Sequence, residues 1–189
     1  MEPGVSMDPS AFAQPGTGTA TDERRRLLGG LLLSAVFGLA LGARLGGLAL
    51  LQHALGVPAG LCAIGLLGLP PLYVLLTLFD APISLSEIAS SVGRALASIG
   101  AVLGGLAPAV ALLAVTIQSP YVAGFAARFG LAMACAIGGA PLLLRVFEKL
   151  GGAALKLKGG LLLCGFVMFA GAVCARTWQA LLPILGVCP

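Results

Sequence analysis

The chain has 189 residues, of which 59% are hydrophobic and 10% are charged, with a formal net charge of +4. Its mean hydropathy is +1.06. A soluble domain carries about 25% charged residues, so this chain has too few polar side chains to cover a water-facing surface. Disorder requires low hydrophobicity and high charge, which excludes a disordered chain as well. The composition therefore predicts a polytopic membrane protein with membrane lipids as partners and no nucleic acid.

Residues 1–26 differ in kind from the rest, because they mix Pro and Gly with Ser, Thr, Asp and Glu and end in Arg24, Arg25 and Arg26. Such a segment buries too little apolar surface to offset its ordering entropy. We predict a disordered cytoplasmic tail over 1–26 and a transmembrane helical domain over 27–189. A cleaved signal peptide is the alternative, but both the polar lead and the apolar run are long for one.

The apolar runs predict an all-α bundle of about five membrane spans. A spanning helix needs about 20 mainly apolar residues, and turn residues separate the runs at His53–Pro58, Asp80–Pro82, Gln118–Pro120 and Glu148–Lys158. Barrel strands would alternate apolar and polar residues, and these runs do not. The predicted spans are 27–51, 57–79, 85–118, 121–145 and 159–182, with four or six spans left open by the segment near Pro183.

The distribution of basic residues predicts the orientation. With the tail inside, eight of the 11 Lys and Arg residues fall on cytoplasmic segments. They are Arg24, Arg25, Arg26, Arg94, Arg145, Lys149, Lys156 and Lys158. This bias predicts a cytoplasmic N-terminus.

Two local signals shape the third span. Ser84 and Glu87 have the spacing of a capping box, in which each side chain satisfies the backbone amide of the other. Pro108 falls near mid-span, where it removes a backbone donor and predicts a kink. A packing kink and a gating hinge are both open interpretations.

Small residues recur at every fourth position and predict close helix packing. The first span carries such a stripe, formed by Gly30, Ser34, Gly38, Gly42 and Gly46. Because lipid removes the hydrophobic drive for helix association, backbones that approach across small residues supply the attraction. Similar stripes occur in the third span (Gly93, Ala97, Ala101, Gly105) and in the fourth (Gly130, Ala134, Gly138). The partner is another helix of the same chain or a second protein, including a second copy in a homo-oligomer.

The spans offer no set of residues for catalysis or metal binding. Span 85–118 begins with a cytoplasmic extension that carries Glu87, and no Asp or Glu lies in the membrane-embedded part of any span, so the acid relay of ion-coupled transporters is missing. The single His53 is expected to lie in an outer loop as an interfacial residue, and the five cysteines form no CxxC motif. Cys188, expected outside, is a candidate for pairing or lipidation. We predict no enzyme activity, no cofactor and no metal site.

Three arginines fall toward the side opposite the tail: Arg44, Arg128 and Arg176. Arg128 should lie about two turns inside the fourth span with no acidic residue on that side to pair with it. An arginine at such depth snorkels to lipid phosphate or binds an anion. The hypothesis is an outer-leaflet site for an anion or a lipid headgroup, formed by Arg128 with Arg44 or Arg176.

Two stretches resemble uncharacterised bacterial polytopic proteins, which are similar in turn to the Yip1-type five-helix family. They are the segment from Leu69 to Ser84 with Ser91–Ala97, and the closing Trp178–Gly186. The resemblance implies five spans, a cytoplasmic N-terminus and a membrane-organising or accessory role. It carries no catalytic residues. The predicted function is therefore a non-enzymatic integral membrane protein that acts through helix and lipid contacts. The alternative is a small transporter, channel or permease subunit for an apolar or anionic substrate.

Overall fold

A computed structural model describes residues 20–43, 46–78, 84–116, 120–149 and 153–181 of the chain. These residues form five α-helices and contain no strand. In chain order the helices are α1 (Ala20–Gly42), α2 (Gly47–Leu78), α3 (Leu85–Thr116), α4 (Pro120–Lys149) and α5 (Ala153–Leu181). The all-α prediction is confirmed for this part of the chain.

Four helices contain a stretch long and apolar enough to cross a membrane. The stretches are Thr21–Gly42, Gly47–Leu78, Leu85–Thr116 and Gly124–Phe147. The 32 residues of α2 and of α3 correspond to about 48 Å at 1.5 Å per residue. Each of these two helices is therefore longer than the roughly 30 Å hydrocarbon core and must tilt or extend beyond it.

The structure differs from the sequence-based expectation at the first turn. The predicted break at His53–Pro58 lies inside α2, and the helices separate instead at Ala43–Gly46. Gly46 and Gly47 have φ values of 63° and 54°, which favour glycine, and the Gly46 amide donates to the Gly42 carbonyl at 3.2 Å. Pro58 is tolerated within α2 because neighbouring helices stabilise the backbone around it.

The start of α1 also differs from the expectation. Residues 20–26, predicted as part of the disordered tail, belong to the first two turns of α1. Asp22 and Glu23 lie in its first turn, where acidic side chains interact favourably with the helix dipole. The rest of the predicted tail, residues 1–19, lies outside the described residues.

α3 lies at the centre of the bundle and packs against α1, α2 and α4, while α5 packs against α2 and α4. Gly30 meets Ala97 and Gly104 meets Leu33, so α1 and α3 run parallel. Gly138 meets Ile99 and Gly130 approaches Leu106, so α4 runs antiparallel to α3. α1 and α3 therefore begin at the end of the bundle where α4 ends. We call it the arginine end, after Arg24, Arg25, Arg26, Arg94 and Arg145.

Buried apolar side chains form two clusters. The larger one fills the middle of the bundle around Phe37, Leu61, Leu103 and Leu131. The smaller one joins α2, α3 and α4 near the arginine end through Leu72, Leu76, Ile88 and Val146. The second cluster lies on the side of α3 that faces α2. At the arginine end it therefore does not fill the side of α3 that faces α1.

Candidate functional site

A cavity of about 700 Å³ opens at the arginine end between α1, α3 and α4. Its lining comes from the first turns of α1, the first half of α3 and the last turns of α4. The cavity is partly open to the surroundings, so a ligand can enter without unfolding of a helix. A volume of this size lies within the 300–1,000 Å³ range of small-molecule sites.

Four arginines line the cavity: Arg24, Arg26, Arg94 and Arg145. Glu23 is the only acidic residue among the described lining residues, whose four guanidinium groups and one carboxylate leave a net charge of +3. Several positive charges around one concave space attract an anion and focus its field. Guanidinium groups in particular match the oxygen geometry of phosphate and carboxylate.

Arg94 is held in place by three contacts. One of its terminal nitrogens donates to Glu23 Oε1 at 3.2 Å, and the other donates to the hydroxyls of Ser90 at 3.4 Å and Ser91 at 3.3 Å. The side chains of Arg94 and Glu23 remain 43% and 41% exposed. An ion pair this exposed contributes less than about 1 kcal/mol to stability, so an incoming anion can replace Glu23 at little cost.

The lining becomes apolar with depth. From each arginine the lining continues for seven residues along its helix: from Arg26 to Leu33, from Arg94 to Ala101, and from Arg145 back to Gly138. Seven residues correspond to about 10 Å along a helix axis. The cavity thus joins a cationic opening to an apolar interior, the pattern expected of a site for an anionic amphiphile.

Close backbone contacts adjoin the cavity where α3 meets α1 and α4. A Cβ atom added to Gly30 would lie 2.6 Å from Ala97 Cα, and one added to Gly100 would meet the Gly30 carbonyl oxygen. A Cβ atom added to Gly138 would lie 2.6 Å from the Ile99 amide nitrogen. By contrast, Gly29 and Gly93 line the cavity and have nothing within 4 Å of an added Cβ. Their missing side chains leave part of the space itself.

The three arginines of the outer-leaflet hypothesis lie elsewhere. Arg128 is exposed about two turns after the start of α4, and Arg176 is exposed near the end of α5. Both lie toward the end of the bundle opposite the cavity. Neither lines the cavity. Arg44 falls in residues 44–45, outside the described residues. The outer-leaflet anion site stays a prediction, and the described cationic cavity lies at the other end of the bundle.

The stripe of small residues on α1 meets two different helices. Gly30 faces α3, whereas Gly38 and Gly42 face His53 and Leu50 of α2. Ser34 is fully buried, and its hydroxyl donates to the Leu31 carbonyl at 2.7 Å. Gly46 lies beyond the end of α1, in the turn, with open space around an added Cβ.

The capping residues and Pro108 have the following surroundings. The Ser84 amide donates to Glu87 Oε2 and the Glu87 amide donates to Ser84 Oγ, both at 3.3 Å, which is the reciprocal geometry of a capping box. Pro108 is exposed within α3, which continues as one helix from Leu85 to Thr116.

His53 was expected in an outer loop, and that expectation is wrong. It lies within α2 with 0% exposure, because α2 begins six residues earlier and Gly38 and Gly42 of α1 leave room beside it. Its Nδ1 lies 2.7 Å from the Ala49 carbonyl oxygen. Its Nε2 and the indole nitrogen of Trp178 are buried and have no hydrogen-bond partner among the described residues. Each such group costs about 1–3 kcal/mol.

The described cysteines Cys62, Cys135, Cys164 and Cys174 are free thiols. Cys135 of α4 and Cys174 of α5 lie in side-chain hydrogen-bonding contact with each other, and Cys188 lies outside the described residues. Within the described part of the chain no group of three or more His, Cys, Asp or Glu could hold a metal ion.

Sequence reasoning missed the cavity although it singled out every arginine of its lining. Arg24, Arg26, Arg94 and Arg145 were interpreted only as markers of the cytoplasmic side. The available signal was the small residue that follows each of three arginines into the bundle: Gly30, Ala97 and Gly138 lie four, three and seven residues beyond Arg26, Arg94 and Arg145. That signal requires the helix order in space, which the sequence does not contain.

Comparison with known proteins finds no family model, no curated protein and no solved structure that matches this chain.

Proposed function

We propose that this chain is a non-enzymatic integral membrane protein with a membrane-organising or accessory role, acting through helix and lipid contacts. The observation that carries this proposal is the apolar outer surface of the helices. Many large apolar residues point outward and are more than half exposed: Leu66, Leu67, Val74, Leu112, Val115, Phe125, Phe129 and Met168. Such a surface is stable against lipid tails and unstable in water.

The proposal includes five spans with the N-terminus in the cytoplasm of a bacterial inner membrane. In support, α5 has 29 residues and is apolar over much of its length, and the arginine end carries the basic residues expected of a cytoplasmic side. The similarity to the Yip1-type family is part of the same proposal and rests on the quoted segments alone.

Impermeant maleimide labelling of single cysteines tests this topology. In a variant without the native cysteines, Ala43→Cys, between α1 and α2, should be labelled in intact cells. Ser86→Cys at the arginine end should be labelled only after permeabilisation. The opposite pattern would overturn the orientation, and release of the protein from membranes by alkaline carbonate would overturn membrane integration itself.

A second candidate function is transport of an anionic or apolar substrate, and the cavity is the observation that favours it. The described lining reaches no deeper than Leu33, Ala101 and Gly138, and Gly30 and Gly138 lie against the α3 backbone, so a pathway would require α1 or α4 to move away from α3. A fluorescent phospholipid in proteoliposomes distinguishes the two functions. An accessory role predicts the same flip rate as in protein-free vesicles, and a faster rate would favour transport.

A further inference from the structure

We infer that the cavity at the arginine end binds a membrane lipid whose headgroup is a phosphate monoester, with the adjoining part of the acyl chain between α1, α3 and α4. The inference rests on the proposed membrane integration and names the lipid class that the described cavity recognises. Two independent properties of the lining, its charge and its polarity gradient, carry it.

The charge of the lining matches the charge of this headgroup. A phosphate monoester carries about −1.5 to −2 at neutral pH and offers three acceptor oxygens. The lining has a net charge of +3, and Arg24, Arg26 and Arg145 have no acidic partner among the described side chains. Each of these guanidinium groups can therefore donate to a phosphate oxygen without first breaking an ion pair.

The polarity gradient distinguishes a lipid from a soluble phosphate. Below the arginines the walls are mostly apolar over about 10 Å of helix, with Leu27, Leu33, Ala97, Ala101 and Leu142. The one hydroxyl in this described stretch, that of Ser98, already donates to the Arg94 carbonyl at 3.0 Å. A hydrophilic phosphate would leave these walls in contact with water. An acyl chain buries them and gains the favourable free energy of apolar contact. The same ligand thus satisfies both halves of the cavity.

The position of the cavity fits a ligand that enters from the bilayer. Arg24 and Arg26 lie in the first turns of α1, directly before the uncharged apolar run that begins at Leu27. Basic residues at this boundary lie at the level of the lipid phosphates. A lipid can therefore enter sideways with its phosphate already at the height of the arginines and its chain already in the hydrocarbon region.

Glu23 gives the site a built-in competitor. Its carboxylate pairs with Arg94 in the structure described here, in the place where a phosphate oxygen would bind. A phosphate monoester, with its larger charge, displaces this carboxylate more readily than a singly charged headgroup does. The ion pair therefore favours the monoester over a phosphodiester such as phosphatidylglycerol.

Native mass spectrometry of the full chain in mild detergent tests the inference. The protein is titrated with phosphatidic acid, phosphatidylglycerol and phosphatidylcholine that carry the same acyl chains. We expect phosphatidic acid to bind at least about tenfold more tightly than phosphatidylcholine, since several charge-assisted hydrogen bonds are at stake, with phosphatidylglycerol between them. Equal binding of phosphatidic acid and phosphatidylcholine would overturn the inference.

Variants of neighbouring arginines distinguish a specific site from nonspecific attraction of the lipid to all basic residues at this end. Arg26 lines the cavity and Arg25 does not, although both are exposed in the same turn of α1. Arg26→Gln and Arg145→Gln should each weaken phosphatidic acid binding about fivefold to tenfold, and Arg25→Gln should leave it unchanged. The same loss in all three variants would show nonspecific electrostatic attraction and overturn the site.

Two open glycines of α3 test the acyl-chain half. Gly93 lines the cavity and Gly105 does not, and neither has an atom within 4 Å of an added Cβ. Gly93→Leu should abolish retention of phosphatidic acid, while Gly105→Leu should retain it. Should Gly93→Leu fail to fold, the arginine variants decide. Retention by a folded Gly93→Leu variant would contradict the placement of the chain.

A competition arm identifies the source of the phosphate. Millimolar inorganic phosphate or glycerol 3-phosphate should not displace bound phosphatidic acid, because neither fills the apolar half. Full displacement would assign the site to a soluble phosphate and overturn the lipid. A chain that stays in carbonate-washed membranes but shows no lipid preference contradicts this inference alone, whereas a chain released by carbonate contradicts the proposed function.

Discussion

α1 and α3 meet in two regions that use the same residue type in opposite ways. From Gly30 inward, their backbones touch across Gly30, Ala97 and Gly100. The same two helices also line a cavity that Gly29 and Gly93 help to leave open and whose lining reaches Leu33 and Ala101. In the first region the missing side chain allows backbone contact, and in the second it leaves empty volume. The position of the partner helix decides between these two outcomes.

The two regions differ in how they should respond to added volume. In the contact region the nearest atoms are backbone atoms, which cannot rotate away, so overpacking must separate the helices. In the cavity an added side chain meets open space, so stability changes little while ligand binding changes. Pairs of glycines within one helix make this contrast measurable.

The largest expected effect is on the contact region. Gly100→Ala should lower the free energy of unfolding by about 2–3 kcal/mol, because its Cβ would meet the Gly30 carbonyl oxygen. Gly105→Ala on the same helix meets nothing within 4 Å and should leave stability unchanged or raise it by up to about 1 kcal/mol. Denaturant titration in detergent micelles measures both, and similar values would refute the backbone contact.

A Cβ atom that meets a side chain should cost less stability than one that meets a backbone. Removing that side chain should also remove most of the cost. A Cβ on Gly60 would meet the buried indole of Trp178, so Gly60→Ala should cost about 1–2 kcal/mol. In a Trp178→Leu background the same change should cost less than about 0.5 kcal/mol, because the indole is gone. A double-mutant cycle measures the coupling, and additive costs would show that the indole is not the obstacle.

Gly46 tests a third reason for glycine, its backbone conformation. It has open space around an added Cβ but a φ of 63°, so Gly46→Ala should cost about 1 kcal/mol. Gly29→Ala is the matched control, since its added Cβ is equally unobstructed and its backbone is helical. Thermal unfolding of the two variants isolates the conformational cost. Equal melting temperatures would contradict the turn geometry.

The smallest effect on stability is expected in the cavity. Glu23→Gln removes the exposed ion pair with Arg94 and should change the free energy of unfolding by less than about 0.5 kcal/mol. The same change should strengthen phosphatidic acid binding about fivefold, because Arg94 becomes available to the phosphate. Asp22→Asn, one residue away and outside the lining, is the control. Unchanged binding in Glu23→Gln would show that the carboxylate does not compete.

Two later helices begin close to the predicted span starts, whereas α5 begins at Ala153, six residues before the predicted 159 and inside the predicted break. α3 and α4 begin at Leu85 and Pro120, where 85 and 121 were predicted, because Pro82 and Pro120 follow polar residues at 80 and 118–119 and such sequences favour turns. The first turn was missed because Pro58 lies within an uninterrupted apolar run, where a helix continues through proline. Gly46 and Gly47 were the better signal, but they resemble the packing glycines around them.

The candidate site was less predictable than the fold. Each of its arginines was visible, but Arg26, Arg94 and Arg145 come from three helices whose proximity no local pattern indicates. His53 was misplaced for the same reason, since its burial depends on Gly38 and Gly42 of another helix. The predicted group of Arg44, Arg128 and Arg176 assumed a proximity at the opposite end that rested on depth alone.

By itself, the sequence determined that this chain is made of apolar helices, because 59% hydrophobic and 10% charged residues allow no water-facing fold and lipid requires every backbone group to be satisfied within a helix. It also determined the capping box of α3 and half of the helix ends to within two residues, because these depend on neighbours three or four residues away. Only the tertiary structure decided which glycines close a contact, which leave a cavity, and which arginines surround it. Those outcomes depend on distances between residues far apart in the chain, and such distances are set by how the helices pack.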